Sequence, residues 1–142
     1  MQYPIRKTLG PSQSQLEPLS NAFERFSRNQ VPGLAPESED KPFLFSVEQN
    51  GQLLAGICGN VYWQGLSIDI LWVTEELRNQ GIGTRLVRTA ENFAAEYDAV
   101  VAYLKTTEAT AFYQKLGYEI FGVLEDRPPG TRLYHMKKRF AP

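Results

Sequence analysis

Trp72-Val73-Thr74-Glu75-Glu76-Leu77-Arg78-Asn79-Gln80-Gly81-Ile82-Gly83-Thr84 passes from the end of an apolar strand, through a polar turn, into the start of a helix. The strand side is Leu66 to Val73. On the helix side, Ile82, Leu86, Ala90, Phe93 and Tyr97 trace one face from Gly81 onward. Such a junction leaves helix N–H groups without internal partners and turns the positive end of the helix dipole outward. Gly81 and Gly83 carry no side chain, so phosphate oxygens can approach the backbone there. Arg78 adds a positive charge beside them, and Arg85 and Arg88 lie one turn further on. A bare Gly-x-Gly is equally what a tightly packed helix start needs, so the glycines alone do not name a ligand. Leu86 stands where a dinucleotide fingerprint wants its third glycine, and the Gly-Lys-Ser/Thr of a P-loop is absent.

Upstream of this junction the pattern is one of short strands. Phe43 to Glu48 and Gln52 to Trp63 read as a hairpin joined by Asn50-Gly51, and Gln64-Gly65 turns into Leu66 to Val73. Before them, Tyr3 to Leu9 reads as a first strand. Leu16, Leu19, Phe23 and Phe26 mark one helical face, with Ser12 or Ser14 as N-cap and Glu24 four residues before Arg28. Val31 to Pro42 is a loop rich in proline and in acidic residues. Downstream, Ala99 to Leu104 is a fully apolar strand of the kind that pairs in parallel and is covered on both faces. Ala109, Phe112, Tyr113 and Leu116 mark a short helix stopped by Gly117, and two last strands, Tyr118 to Leu124 and Arg132 to Lys137, flank Pro128-Pro129-Gly130. The expected order is β-α-β-β-β-α-β-α-β-β, a mixed α/β single domain.

Composition narrows the function. The chain has 142 residues, and its 15 Lys and Arg against 16 Asp and Glu leave a net charge of -1. That balance speaks against a nucleic-acid binder, and a polyanionic ligand would have to be held by local groups. The single cysteine, Cys58, and the single histidine, His135, offer neither a disulfide nor a metal cluster, so no metal is expected. The stretch Met1 to Leu9 does not read as a signal peptide. The longest apolar run, Ala99 to Leu104, falls far short of the roughly 20 residues that span a bilayer. The expectation is a cytoplasmic protein with no membrane partner.

Arg78-x-x-Gly81-x-Gly83 after a strand ending in Val73 resembles the acetyl-CoA signature of the GNAT N-acetyltransferases, Arg/Gln-x-x-Gly-x-Gly/Ala. Further on, Ala109-Thr110-Ala111-Phe112-Tyr113-Gln114-Lys115-Leu116-Gly117-Tyr118 resembles the family's Ala-x-x-hydrophobic-Tyr-Glu-Lys-x-Gly-Phe segment. The two stand in order with a strand between them. Phe112 to Gly130 also looks like a bacterial subgroup of poorly defined substrate. The resemblance implies a GNAT-like fold, with a mostly antiparallel sheet of about seven strands flanked by helices. It implies acetyl-CoA as cosubstrate, an amine acceptor (small amine, antibiotic or protein lysine) and room for a homodimer.

By the same resemblance, the cofactor is expected to meet Leu71, Trp72 and Val73, then Arg78, Asn79, Gln80, Gly81, Ile82, Gly83 and Thr84. Thr106 stands where many members carry a cofactor-contacting asparagine. Tyr113 matches the tyrosine that protonates the leaving thiolate; periodicity alone would make it one more member of the apolar stripe with Phe112 and Leu116. Asp69, four residues before Val73 and so on the same face of a regular strand, is the candidate base; it could equally be a structural carboxylate. His135 is an alternative base, a water chain a third. The acidic residues Glu37, Glu39, Asp40, Glu125 and Asp126 fall in the two loops that flank the family's acceptor site, where they would suit a cationic acceptor, or simply face solvent. The competing reading is an acyl-CoA-binding regulatory or interaction domain without turnover; weaker still is a protein in which the Gly loop serves another nucleotide.

Overall fold

Asn50 and Gly51 both adopt positive φ, 53° and 77°, the geometry a two-residue type I′ turn requires. They join β1 (Lys41–Gln49) to β2 (Gln52–Tyr62), and β2 in turn pairs antiparallel with β3 (Gly65–Val73). The computed structural model describes residues 2–31, 33 and 39–140. Their contacts fall into two compact units, Met1–Ala35 and Pro36–Pro142.

In the first unit, α1 (Gln13–Gln30) starts at a capping box. The Ser12 hydroxyl accepts from the Gln15 N–H, and the Gln15 side chain accepts from the Ser12 N–H. The expected surface pair closes, Arg28 to Glu24, at 2.6 Å. Tyr3 to Leu9 forms no strand. Pro4 cannot donate to a ladder, and Tyr3, Ile5 and Leu9 are exposed, so nothing rewards the ordering of this segment into a sheet.

The second unit carries a six-stranded sheet in the order β1-β2-β3-β4-β6-β5, one strand fewer than expected, and the rest of the element order stands as read. A single 3-10 turn (Glu75–Leu77) and α2 (Ile82–Ala95) carry the chain from β3 to β4 (Val101–Thr106), which pairs parallel to β3. Then come α3 (Thr110–Lys115), β5 (Glu119–Glu125) and β6 (Arg132–Arg139), with β6 between β4 and β5. β4 begins two residues later than its apolar run. The chain turns at Asp98 with φ 60°, and the Val100 N–H donates to the Gln64 carbonyl outside any ladder. Nor is β4 covered equally on both faces: Ala102 and Leu104 are buried, Val101 and Tyr103 only half-buried.

The core lies on the face of the sheet that α2 covers. Leu86, Val87, Ala90 and Ala94 of α2 meet Ala55, Ile57 and Val61 of β2, Leu66 and Ile68 of β3, and Met136 of β6. Phe93 packs its ring against Phe43 and Phe45 at 5.5 and 5.6 Å. One carboxylate is buried in this layer. Glu91 of α2, 8% exposed, accepts from Tyr118 at 2.8 Å, Lys138 at 3.0 Å and Arg88 at 2.9 Å. The three donors satisfy its lone pairs and tie α2 to β6 and to the approach to β5. Arg88, one of the cations expected near a phosphate, is thus matched by a partner inside the fold.

The second hairpin turn lies at Trp63-Gln64, one residue earlier than expected, with φ of 50° and 56°. Left-handed backbone costs roughly 1–2 kcal/mol per residue with a Cβ. Gln64→Gly keeps the carbonyl that Val100 uses and relieves one such residue. Against glycine's greater loss of chain entropy, the net gain should be about 0.5–1 kcal/mol. Calorimetry should then read a melting point about 2–4 °C higher.

Candidate active site

The site begins where β3 leaves β4. Parallel pairing runs from Gly65↔Val101 to Ile68↔Leu104 and stops, although both strands continue. The cause is visible one strand away. Gly59 of β2 pairs with Ile68 and Cys58 with Ile70, so Asp69 is an extra residue, a β-bulge. The bulge fits only because residue 59 has no side chain: a Cβ there would lie 1.9 Å from the Ser67 carbonyl oxygen. Bulges bend and twist the strand that carries them. Past the bulge, the β4-facing edge of β3 has no strand partner.

The bulge also changes which residues face which way. Before it, Leu66 and Ile68 point into the core; after it, Leu71 and Val73 are the inward pair, opposite Ile57 and Ala55, while Ile70 and Trp72 are exposed. Asp69 therefore does not share the face of Val73 that a regular strand would give it. Its carboxylate is exposed on the other side of the sheet and accepts from the Ser67 hydroxyl at 2.7 Å. Around it opens a cavity of about 520 Å³, lined by Tyr62, Ser67, Asp69, Tyr103, Lys105 and His135 among others. Tyr103 donates to Tyr62 at 2.9 Å. Burial first, then Tyr62, pushes the Tyr103 hydroxyl up to about 12. Asp69 and His135, the two candidate bases, thus line one cavity. Of the other lining residues, Tyr62, Ser67, Tyr103 and Lys105 belong to no motif in the sequence, although period-2 alternation from buried Leu66 and Leu104 marks Ser67, Tyr103 and Lys105 as facing away from the core.

Beyond Val73 the loop is shaped by left-handed residues. Asn79 has φ 62° and Gly81, the N-cap of α2, φ 83°. Gly81 answers a conformational need, since nothing lies within 4 Å of a Cβ added there. Gly83 answers a packing need: its Cβ would come within 3.3 Å of the Phe112 ring and 3.8 Å of Val73. Tight packing at the helix start thus holds at Gly83, and Gly81 adds a backbone demand that the spacing alone does not state. No side chain caps α2, and the first helical bond at its start runs from the Arg85 N–H to the Gly81 carbonyl at 3.0 Å. The N–H groups of Ile82, Gly83 and Thr84 thus have no acceptor among the described residues, and they point out of the helix end. Arg78 donates through Nε to the Val73 carbonyl at 3.0 Å, which anchors the guanidinium beside that end and leaves its terminal N–H groups free. Gln80 donates to the Glu76 carbonyl at 3.2 Å and holds the turn.

At the end of β4, the Thr106 hydroxyl accepts from the Ala109 N–H at 3.1 Å and fixes the entry to α3. Its own O–H remains available to donate. Tyr113 of α3 is 6% exposed, with its ring against Phe112 at 5.0 Å and Tyr118 at 5.7 Å. Burial pushes its hydroxyl up to about 12. Among the described residues it has no hydrogen-bond partner, so the phenol is neutral and its proton is unclaimed. The expected acidic loops are less uniform than their sequence. Glu37 lies outside the described residues; Asp40 accepts from Asn60 at 3.3 Å, and Asp126 accepts from the Gly130 N–H at 3.0 Å to close its turn.

Residues 9–118 match the model of the acetyltransferase (GNAT) family. The chain belongs to that family. Over 110 residues it is 36% identical to a blasticidin-S acetyltransferase of Streptomyces morookaense, covering 72% of this chain and 81% of that protein. An acetyltransferase from Bacillus cereus superposes with a TM-score of 0.81 at 26% identity, covering 95% of this chain and 98% of the other. An aminoglycoside 6'-N-acetyltransferase complexed with coenzyme A shares the fold at a TM-score of 0.64 and 20% identity, over 96% and 97% of the two chains. No helix among the described residues is long and apolar enough to cross a membrane.

Proposed function

We propose that this chain moves the acetyl group of acetyl-CoA directly to an amine. The observation that carries the reading is the gap that opens past Ile68 and Leu104 with the uncapped N-terminus of α2 beside it. The pyrophosphate of the cofactor would sit on the N–H groups of Ile82, Gly83 and Thr84, with Arg78 as its cation and Asn79 to Gly81 shaping the loop. The pantetheine arm would run along Leu71, Trp72 and Val73, where strand pairing has ended, with the Thr106 hydroxyl on the opposite edge. An acetyl carbonyl held there can take a backbone N–H as oxyanion donor. The aminoglycoside acetyltransferase that shares the fold is complexed with coenzyme A. We take the domain to be the whole chain, residues 1–142, because the family match already begins at residue 9 and the Bacillus cereus structure aligns with nearly all of it. A cytoplasmic location suits a reaction that consumes acetyl-CoA.

The reaction balances with the groups at hand. The neutral amine nitrogen attacks the thioester carbon, a C–N bond forms and the carbonyl becomes an oxyanion. Collapse breaks the C–S bond; the amine gives up a proton and the thiolate gains one. Asp69 is the proposed acceptor of the amine's proton. Its exposure keeps it in contact with bulk water, so a proton taken there can leave. The test is thiol release from acetyl-CoA across a panel of amines and peptides. Release with at least one acceptor is expected; tight coenzyme A binding without release would make the chain a binding module, and no affinity for coenzyme A would end both readings. Asp69→Asn should lower kcat at saturating acetyl-CoA and amine by about 10²-fold or more. Unchanged turnover removes Asp69 as base.

A further inference from the structure

Asp69, Lys105 and His135 form a row across β3, β4 and β6 on the face of the sheet away from α2. Lys105 pairs with His135, and Asp69 stands one step beyond the last β3–β4 pair, Ile68↔Leu104. All three line the same cavity of about 520 Å³. Opposite charges in such a place usually close on each other, yet no ion pair joins Asp69 to Lys105, and the Lys105 ammonium has no hydrogen bond or ion pair among the described residues. Asp69 is held by Ser67 on its own strand, which leaves it one committed neutral donor and an unmatched charge. A cavity built for a simple cation would not carry a free lysine on its wall, since the like charge repels the substrate. A cavity for an anion would not carry the aspartate.

We propose that the acceptor is a small amino-carboxylate, such as an amino acid, with its amine at Asp69 and its carboxylate at Lys105. His135 supplies a second N–H donor to the carboxylate, and its ring is steadied by Phe121 at 5.9 Å. Asp69 and Lys105 each stand one residue past the last β3–β4 pair, so a short molecule with an amine at one end and a carboxylate at the other can meet both. This assignment rests on the acetyl-transfer reading and names the substrate class for that site.

The test is thiol release from acetyl-CoA with matched acceptors, each of a set of L-amino acids against its own amide, which keeps the amine and removes the negative charge. The readout is the kcat/KM of acid over amide, compared among the parent, Lys105→Met and Lys105→Glu. Comparing that ratio between proteins cancels the different basicities of the two amines. Relative to the parent, the ratio should fall at least tenfold in Lys105→Met and further in Lys105→Glu, chiefly through KM for the acid. Lys105 is exposed, so both variants should fold, and thermal denaturation checks this. A ratio that stays constant across the three proteins overturns the assignment while acetyl transfer stands. No thiol release from any amine overturns acetyl transfer itself, and this assignment with it.

Discussion

Gly59→Ala should cost this protein most of its stability and its activity together. The added methyl would sit 1.9 Å from the Ser67 carbonyl oxygen and 3.0 Å from both the Ser67 carbonyl carbon and the tip of the Phe43 ring. The first obstacle is backbone, so no rotamer change relieves it. Either β2 and β3 part by more than an ångström, or the bulge at Asp69 is expelled and the register beyond it slips. Overpacking in a well-filled core costs about 1–3 kcal/mol, and a backbone clash of this depth belongs at or above the top of that range. If the bulge goes, Leu71 and Val73 exchange faces with Ile70 and Trp72, and the stretch of β3 that borders the gap is rebuilt. The urea midpoint should drop sharply, and any folded fraction should transfer acetyl groups poorly. Ser67→Ala is the companion variant, because it removes the hydroxyl bonded to Asp69 without touching the strand spacing. It should keep the parent's urea midpoint. A Gly59→Ala protein with the parent's midpoint and activity would show that the bulge does not hold the site.

The bulge is also where the sequence was hardest to read. Ile68-Asp69-Ile70 in a run of apolar residues looks like a regular strand with one misplaced carboxylate, and counting by twos put Asp69 on the face of Val73. The information lies one strand earlier: a glycine inside the strand, as Gly59 is in Ile57-Cys58-Gly59-Asn60-Val61, is a sign of a bulge or a close backbone approach. Only pairing, which is non-local, shows which strand bulges. By contrast, Asn50-Gly51, Gly81 at the start of α2 and Gly117 after α3 were legible because each answers a local backbone demand, all with positive φ. Tyr3 to Leu9 failed as a strand for the opposite reason, since its alternation had no ladder to join. The cavity residues Tyr103 and Lys105 come from β4 and Ser67 from β3, and no local pattern announces that a parallel pair will part beside them.

Tyr113→Phe should lower kcat by about a hundredfold or more while leaving the KM for acetyl-CoA near the parent's value. The phenylalanine keeps the ring contacts with Phe112 and Tyr118 and removes a hydroxyl that bonds to nothing in the fold, so stability should not fall. Removing one hydrogen-bond donor aimed at developing negative charge costs about 10²–10³-fold, and that is the range at stake. The shifted pKa sharpens what the hydroxyl does. A phenol at about 12 facing a thiol of about 8.5 cannot hand over its proton cheaply; the transfer is uphill by ~5 kcal/mol. Tyr113 should therefore act by donating a hydrogen bond to sulfur as negative charge develops there, with the thiolate protonated afterward from water. The pH dependence separates this from an ordinary tyrosine acid. Burial raises the pKa, so the neutral donor persists through pH 10, where an unshifted tyrosine would be half ionised. Turnover in the parent should show no loss near pH 10 and should fall only as pH approaches 12. The same burial makes ionisation cost stability, which is fully present below pH 10 and lost as pH rises from 10 through 12. The urea midpoint should decline across that window in the parent, and less in Tyr113→Phe. Full turnover by Tyr113→Phe at saturating acetyl-CoA and amine would leave the leaving group without help from this residue.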